Sequence, residues 1–212
     1  MTMIVDAPGG SKPPAHTAKP AEAGSVWSTL FGNDQPVEVE IGPGTGTFLL
    51  SSAAERPERN YFGIEHSRRR ALRVEAAVIA HDLRNVRILH ADAGCVVGSL
   101  IPAAAVAAYH IYFPDPWWKR RHYRRRLFTP DFAGALARTL KPMGRVYVAT
   151  DVDDVFTLMR ATLGATRAFV ELGDARSPRT TVTSFERKGV ARGATIHQAT
   201  FAKREAGATT AA

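Results

Sequence analysis

Residues 37–46 read VEVEIGPGTG, and this stretch decides the fold of the chain. Its first five residues alternate in the manner of a buried β-strand. Three glycines follow at every second position, and the next run, TFLLSSAA at 47–54, is compatible with a helix. Glycine lets the backbone turn tightly and approach a ligand closely, and a helix N-terminus offers that ligand free N–H donors. The stretch therefore predicts a strand, a turn and a helix that together form a nucleotide-type pocket.

The spacing of Gly42, Gly44 and Gly46 differs from a dinucleotide fingerprint. That fingerprint would place its third glycine where Thr47 stands, so the pattern here is G-x-G-x-G and not G-x-G-x-x-G. A glycine triplet by itself leaves the class of ligand open.

Acidic residues lie at the ends of four predicted strands. After the strand at 37–41 come strands at 61–65, 86–89 and from 106 to 113. The acids at or just beyond the four ends are Glu40, Glu65, Asp92 and Asp115. In open α/β sheets, ligands bind across the carboxyl ends of the strands, so these carboxylates are expected to meet in one crevice. Asp92, which stands before Gly94, is equally consistent with a helix N-cap.

The segment FPDPWWKRRHYRRR at 113–126 joins a carboxylate to a basic, aromatic run. Its cations are Lys119, Arg120, Arg121, Arg124, Arg125 and Arg126. Such charges neutralise phosphates, and interleaved aromatic rings stack on bases. Asp115 would weaken phosphate attraction, which indicates a role at a reacting or recognised group. A solvated turn is the structural alternative, and Trp117 fits a stacking role and a core role equally.

The remaining pattern completes a seven-stranded α/β domain. We predict helices at 67–79 and 152–163, and a helix from Thr129 and Pro130 to a stop at 141–144. Further strands are predicted at 145–150, 167–171 and 195–203, and Asp151 follows the first of them on the side of Asp115. Alternation in 195–201 suggests a half-exposed edge strand. The fold class is α/β, a doubly wound, mostly parallel sheet with helices on both faces. The predicted domain is 25–204, between a disordered arm at 1–24 and a disordered tail at 205–212.

Composition narrows the partner and the compartment. The 212 residues include 28 Lys and Arg against 20 Asp and Glu, a net charge of +8. This balance favours a polyanion, and because no long basic amphipathic helix or bilayer-length apolar run is evident, nucleic acid is favoured over a membrane. Cys95 is the single cysteine, which excludes an intrachain disulfide and a cysteine zinc site. The seven histidines lack metal-ligand spacing, and the first residues lack a secretory signal, so a cytoplasmic protein without a metal is expected.

Five motifs occur together in one order along the chain. They are EIGxGxG at 40–46, GIE at 63–65, FPDPWxK at 113–119 with HxxRR at 122–126, ATD at 149–151 and TxFE at 183–186. On these motifs the chain resembles the bacterial tRNA (guanine-N7)-methyltransferases, a family of class I S-adenosylmethionine-dependent methyltransferases. The resemblance runs from about Val37 to Arg204. Trp118 and Ser184 depart from the family pattern.

The resemblance implies a role for each motif. The expected cofactor contacts are Glu40, Gly42, Gly44, Gly46, Glu65, Asp92 and Asp115, with Asp115 also the catalytic carboxylate. The target nucleotide is expected at Lys119, Asp151, Thr183, Ser184, Phe185 and Glu186, and the RNA phosphates at the basic residues of 119–126, including His122. TxFE alone is also an ordinary strand sequence. The implied partners are S-adenosylmethionine, with S-adenosylhomocysteine as product, and tRNA. We expect no obligate protein partner, and a monomer or a homodimer.

The chemistry of the acceptor limits what Asp115 has to do. Guanine N7 carries an in-plane lone pair and no proton, so it attacks a sulfonium methyl without a general base. Asp115 can stabilise the positive charge that develops on the purine, orient the amino group of the cofactor, or accept hydrogen bonds from the N1/N2 edge of guanine. The sequence leaves these three roles open.

Three other functions are weighed against this one. Asp115-Pro116-Trp117 partly matches the motif of methyltransferases for exocyclic base amines, which have a second proline after Pro116. A nicotinamide-dependent dehydrogenase is disfavoured by Thr47 and by the lack of a catalytic Tyr/Lys or His/Asp pair. A non-catalytic RNA-binding protein is disfavoured because every motif acid is present.

Overall fold

A computed structural model of the chain describes residues 23–115, 127–173 and 184–205. The helices are α1 Ala23–Phe31, α2 Thr47–Glu55, α3 Arg68–Ala80, α4 Ala93–Cys95 with a π-helical turn at Val96–Leu100, α5 Pro130–Thr139, α6 Asp153–Gly164 and α7 Ser184–Ala191. The strands are β1 Val37–Ile41, β2 Asn60–Glu65, β3 Val86–His90, β4 Val106–Tyr112, β5 Leu140–Thr150, β6 Phe169–Leu172 and β7 His197–Lys203.

One sheet contains all seven of these strands, in the order β3-β2-β1-β4-β5-β7-β6. Neighbours from β3 through β5 are parallel, whereas β7 is antiparallel to both β5 and β6. The predicted mostly parallel, seven-stranded sheet is therefore confirmed. Because β1 lies between β2 and β4, the carboxyl ends of these three strands meet at one edge of the sheet.

Helices cover both faces of the sheet, as predicted. On one face, Leu49 and Ala53 of α2 and Val74 of α3 pack on Tyr61 and Ile88 of β2 and β3. On the other face, one continuous core joins α1, α5 and α6 to the odd-numbered residues of β1 and to Val106, Tyr109 and Ile111 of β4. Side chains that alternate between the two faces explain this division, since successive residues of a strand point in opposite directions.

The start of α5 follows the predicted capping chemistry. Thr129 Oγ1 accepts a hydrogen bond from the Phe132 N–H at 3.2 Å, and Pro130 occupies the first helical position. A Thr cap satisfies one of the free N–H groups of the first turn, and proline lacks an N–H that would need a partner.

The end of α5 and the position of β7 differ from the prediction. The helix ends at Thr139 and β5 begins at Leu140, so the strand starts earlier than the predicted 145. Leu140 pairs with Val106 and Arg145 with Ala108, so the predicted stop at 141–144 lies at a register shift in this ladder. β7 lies between β5 and β6 and is not an edge strand. Alternation reports which layer each side chain faces, and it does not report whether the backbone groups of the strand are paired.

The structure also differs from the prediction at 184–191 and in the segment before β1. Ser184–Ala191 forms α7, so the strand-like reading of the TxFE motif is wrong for its described residues. Four residues are too few to distinguish a period of two from one of 3.6. α1 begins at Ala23, just before the predicted domain start at 25, and buries Trp27, whose Nε1 donates to the Ala105 carbonyl at 3.0 Å. None of the helices within the described ranges is long and apolar enough to span a membrane.

Candidate active site

The turn after β1 is held open by its glycines. Gly42, Gly44 and Gly46 have φ values of 69°, 59° and 77°, in the left-handed region that favours glycine. The Gly42 N–H donates to the Ile64 carbonyl and the Gly46 N–H to the Pro43 carbonyl, both at 2.8 Å. A Cβ on Gly42 would meet no atom within 4 Å, so the backbone there faces open space.

Glu65, at the end of β2, holds this turn in place. Glu65 is 1% exposed, and its Oε2 accepts the Gly44 N–H at 3.0 Å. Oε1 accepts the Ser67 N–H at 2.8 Å and the Arg70 Nε–H at 3.1 Å. The carboxylate therefore joins the glycine turn to the start of α3. The contact to Arg70 is one that the sequence analysis missed.

The other predicted cofactor acids have different surroundings. Glu40 is 4% exposed on β1, in register with Gly63 of β2 and His110 of β4. Asp92 is exposed and accepts the Cys95 N–H at 2.8 Å, so it is the N-cap of α4. The Ala91 N–H donates to the Glu65 carbonyl at 3.1 Å, which places Asp92 beside the end of β2. Both sequence readings of Asp92, as a cap and as a residue of the crevice, are compatible with this position.

Asp115 lies just beyond the end of β4. Phe113 has a φ of 51°, and its N–H donates to the Ala149 carbonyl of β5 at 2.7 Å. A left-handed conformation at a phenylalanine is uncommon and redirects the chain sharply. Asp115 follows two residues later and is exposed. It thus stands at the same sheet edge as the glycine turn, with its carboxylate open to solvent.

Asp151 meets α7 at the end of β5. Its Oδ2 lies 3.7 Å from Nη2 of Arg192. Gly189 of α7 is buried, and a Cβ there would lie 3.3 Å from Asp151 Oδ2 and 3.3 Å from Ile196 Cδ1. Glu186 is half-buried in the first turn of the same helix. The structure thus brings α7, which carries part of the TxFE motif, against Asp151.

Several predicted RNA-binding residues lie outside the described part of the chain. These are Lys119, Arg120, Arg121, His122, Arg124, Arg125, Arg126 and Thr183. Trp117 and Trp118 also lie there, so the choice between stacking and core packing for Trp117 stays open. For Ser184 and Phe185 the structure gives the helical backbone only. Within the described ranges, no group of three or more His, Cys, Asp or Glu side chains is arranged to hold a metal ion.

A buried polar chain beneath the site was missed by the sequence analysis. His110 Nε2 shares a hydrogen bond of 2.8 Å with Glu38 Oε2, and His110 Nδ1 shares one of 2.8 Å with the Tyr112 hydroxyl. Arg59 Nη1 donates to Glu38 Oε1 at 2.8 Å. The available signal was Glu38 and His110, polar residues at strand positions that face one layer of the sheet.

Comparison with protein families identifies relatives over most of the chain. The model of a family described as putative methyltransferase matches residues 34–199. A protein of Paraburkholderia xenovorans named tRNA (guanine-N(7)-)-methyltransferase is 34% identical over 85% of this chain and 71% of its own length. A protein of the same name from Nitrosomonas europaea is 34% identical over 82% of this chain and 80% of its own.

A third relative is longer than this chain. The Rhodopirellula baltica protein of the same name is 42% identical over 61% of this chain, and the match spans half of its own length.

Solved structures show the same fold at low sequence identity. The 16S rRNA methyltransferase KamB aligns over 84% of this chain and 92% of its own, with a TM-score of 0.59 and 16% identity. The antibiotic-resistance methyltransferase Kmr aligns over 89% of this chain and 95% of its own, with a TM-score of 0.56 and 16% identity. The architecture is thus that of class I methyltransferases.

Proposed function

The chain belongs to the tRNA (guanine-N7)-methyltransferase family, and on that premise we propose that it methylates N7 of the variable-loop guanine at position 46 of tRNA. One observation carries the proposal furthest. The turn of Gly44, the carboxylate of Glu65 and the carboxylate of Asp115 stand at the carboxyl ends of three adjacent strands. A ligand at that edge has a backbone cradle on one side and an exposed acid on the other.

The proposed cofactor is S-adenosylmethionine, which the class I fold implies, and the residues at this edge suit it. Gly42 opens onto free space, and Glu65 is a buried carboxylate beside the turn, where ribose hydroxyls can donate to it. Glu40, Asp92 and Asp115 supply further acceptors for the amino and hydroxyl groups of the cofactor. When bound, the cofactor supplies a sulfonium methyl group and leaves as S-adenosylhomocysteine. No metal takes part in this proposal.

The work of the protein is then to align the acceptor and to exclude water. N7 of guanine has a lone pair and no proton, so no residue has to remove one. Orientation alone contributes up to ~7–11 kcal/mol to such a reaction in favourable cases. Asp115 is exposed at the site edge, and in this proposal its carboxylate opposes the positive charge that develops on the purine. It is the proposed catalytic residue.

The proposed nucleotide site lies on the side of β5 and α7. Asp151 lies against Gly189 of α7 and Arg192 just beyond its end, and Glu186 stands in the first turn of that helix. Asp151 and Glu186 offer acceptors to the Watson–Crick edge of a guanine, which carries N–H donors there. Thr183, Ser184, Phe185 and the basic segment 119–126 complete the proposed RNA contacts. The proposed setting is the cytoplasm, with the protein as a monomer or homodimer.

The test of this function uses labelled S-adenosylmethionine and unmodified total tRNA. After incubation with the purified protein, the modified nucleoside is identified and its position mapped by cleavage at N7-methylguanosine. Label at the variable-loop guanine supports the proposal. Label on an exocyclic amine would keep the fold and overturn the acceptor, whereas bound cofactor without transfer would favour a non-catalytic RNA-binding role.

A further inference from the structure

Three polar side chains form a continuous chain inside the sheet layer that α2 covers. Glu38 comes from β1, and His110 and Tyr112 come from alternate positions of β4, so all three face the same layer. The two hydrogen bonds that join them are both 2.8 Å long. His110 is 0% exposed and Glu38 is 3% exposed, so the chain is shielded from water.

The surroundings of Glu38, the first member of this polar chain, favour its ionised form. Burial by itself would raise the pKa of Glu38, but the hydrogen bond and charge of His110, with the charges of Arg56 and Arg59, hold that pKa below its ordinary value. An ionised carboxylate only accepts hydrogen bonds, so Nε2 of His110 carries a proton. This fixes one side of the imidazole ring and leaves Nδ1 for the Tyr112 hydroxyl.

Aromatic rings fix the orientation of the imidazole. Phe48 of α2 lies 4.5 Å from His110 between ring centroids, and Tyr147 of β5 stacks on it at 5.1 Å with an interplanar angle of 13°. Phe48 also makes an edge contact with Tyr112 at 5.1 Å. Since Phe48 is the second residue of α2, directly after the glycine turn, this packing links that turn to the end of β4.

Tyr112 is the last residue of β4, immediately before the left-handed residue Phe113 and the Pro114-Asp115 corner. The hydrogen bond between its hydroxyl and His110 therefore holds the end of β4 three residues before Asp115. Such a bond restricts the rotation of the strand end, and a buried hydroxyl without its partner loses free energy.

We propose that Tyr112 is a positioning residue, held by His110 and Glu38, which sets the direction in which the chain leaves β4 and so places Asp115 at the reacting guanine. This proposal rests on the proposed role of Asp115 in methyl transfer. Tyr112 acts through the backbone and does not touch the substrate. The residue affects alignment, and alignment errors lower the rate more than they weaken binding.

The test compares Tyr112→Phe with Tyr109→Phe. Both changes remove one buried tyrosine hydroxyl from β4; that of Tyr109 faces the opposite layer and shares a 2.7 Å hydrogen bond with Thr139. We expect Tyr112→Phe to lower kcat by roughly tenfold or more, with unchanged KM for tRNA and unchanged Kd for the cofactor. Both variants are expected to lower the Tm to a similar extent, because each loses one buried hydroxyl. Tyr109→Phe is expected to keep kcat near that of the wild type.

A second readout does not depend on activity. In NMR spectra, Tyr112→Phe should move the ¹⁵N signal of His110 Nδ1 and the amide signal of Asp115, and Tyr109→Phe should leave both in place. Two results would overturn the positioning role. One is an equal loss of kcat in the two variants, and the other is an Asp115 amide signal and a kcat that both stay unchanged in Tyr112→Phe. If the wild type transfers no methyl to N7, the proposed function fails, and the amide signal of Asp115 still decides whether Tyr112 positions the corner.

Discussion

The Glu65 carboxylate accepts the Gly44 N–H at 3.0 Å, so the end of β2 fixes the glycine turn that follows β1. This bond joins two motifs that lie apart in the sequence. In the proposed function Glu65 serves two purposes, because the same carboxylate supports the turn and is the proposed acceptor for the ribose hydroxyls. A neutral side chain at this position should therefore weaken both the support of the glycine turn and the binding of the cofactor.

Glu65→Gln is expected to weaken cofactor binding by about tenfold to a hundredfold, since hydrogen bonds to a charged group are worth about 1.5–3 kcal/mol each. Isothermal titration with S-adenosylmethionine measures the change. The control is Glu58→Gln, which removes an exposed carboxylate at the other end of β2. An unchanged Kd in Glu65→Gln would contradict the proposed ribose contact.

Glu38→Gln tests the buried carboxylate by its pH dependence. A carboxyl group with a folded pKa below the ordinary value, here 4.5, stabilises the fold above that value and loses this contribution as the pH falls through its folded pKa. At pH 7 the free energy of unfolding of the variant should be lower than that of the wild type by up to about 3–5 kcal/mol, because Arg59 and His110 lose a buried charged partner. The difference from the wild type should narrow below about pH 4.5.

Chemical unfolding at a series of pH values measures this difference. Glu171→Gln is the matched control, since it breaks the 2.8 Å pair with Arg160 at the surface, and exposed pairs contribute little. A difference that stays constant from neutral to acid pH would show that Glu38 does not titrate in the expected way.

Asp115→Asn is expected to keep the fold while removing most turnover. The side chain is exposed, so the change leaves the core intact, but the negative charge at the developing cation is lost. Single-turnover methylation of tRNA and thermal unfolding measure the two effects. Asp131→Asn, an exposed acid in the first turn of α5, serves as the control. Near-normal turnover in Asp115→Asn would remove Asp115 from the mechanism.

Gly189→Val tests the contact between α7 and Asp151. A Cβ at Gly189 already lies 3.3 Å from Asp151 Oδ2, so a branched side chain should push α7 away from the end of β5. We expect the KM for tRNA to rise by about tenfold or more, with an unchanged Kd for the cofactor. Gly134→Val is the control, because a Cβ on that helical glycine meets no atom within 4 Å. Equal KM values for tRNA in Gly189→Val and Gly134→Val would contradict a role of α7 in nucleotide binding.

The order of elements could be predicted because local periodicity carries it. The alternation at 37–41 and the cap at Thr129 both describe interactions within a few residues, and the structure reproduces both. Local patterns do not give the strand order, because strand pairing joins residues that are far apart in the sequence. The interior position of β7 and the helix at 184–191 depend on contacts with β5 and β6 or with Asp151, which no local pattern records.

The site could be predicted in part for the same reason. The turn and the acid at Glu65 have a motif, but their direct bond is a tertiary contact. Glu38 and His110 are 72 positions apart, and each by itself looks like an ordinary polar residue on a strand. Their pairing follows from the adjacency of β1 and β4, which the fold determines.

The most direct test of N7 methylation uses two tRNA transcripts that differ at one atom. One carries guanosine at position 46, and the other carries 7-deazaguanosine there, in which a C–H group replaces N7. With labelled S-adenosylmethionine, the first transcript should accept one methyl group at that position and the second none, while both bind the protein equally. Equal methylation of the two transcripts would contradict the account, because the acceptor atom would then be one other than N7.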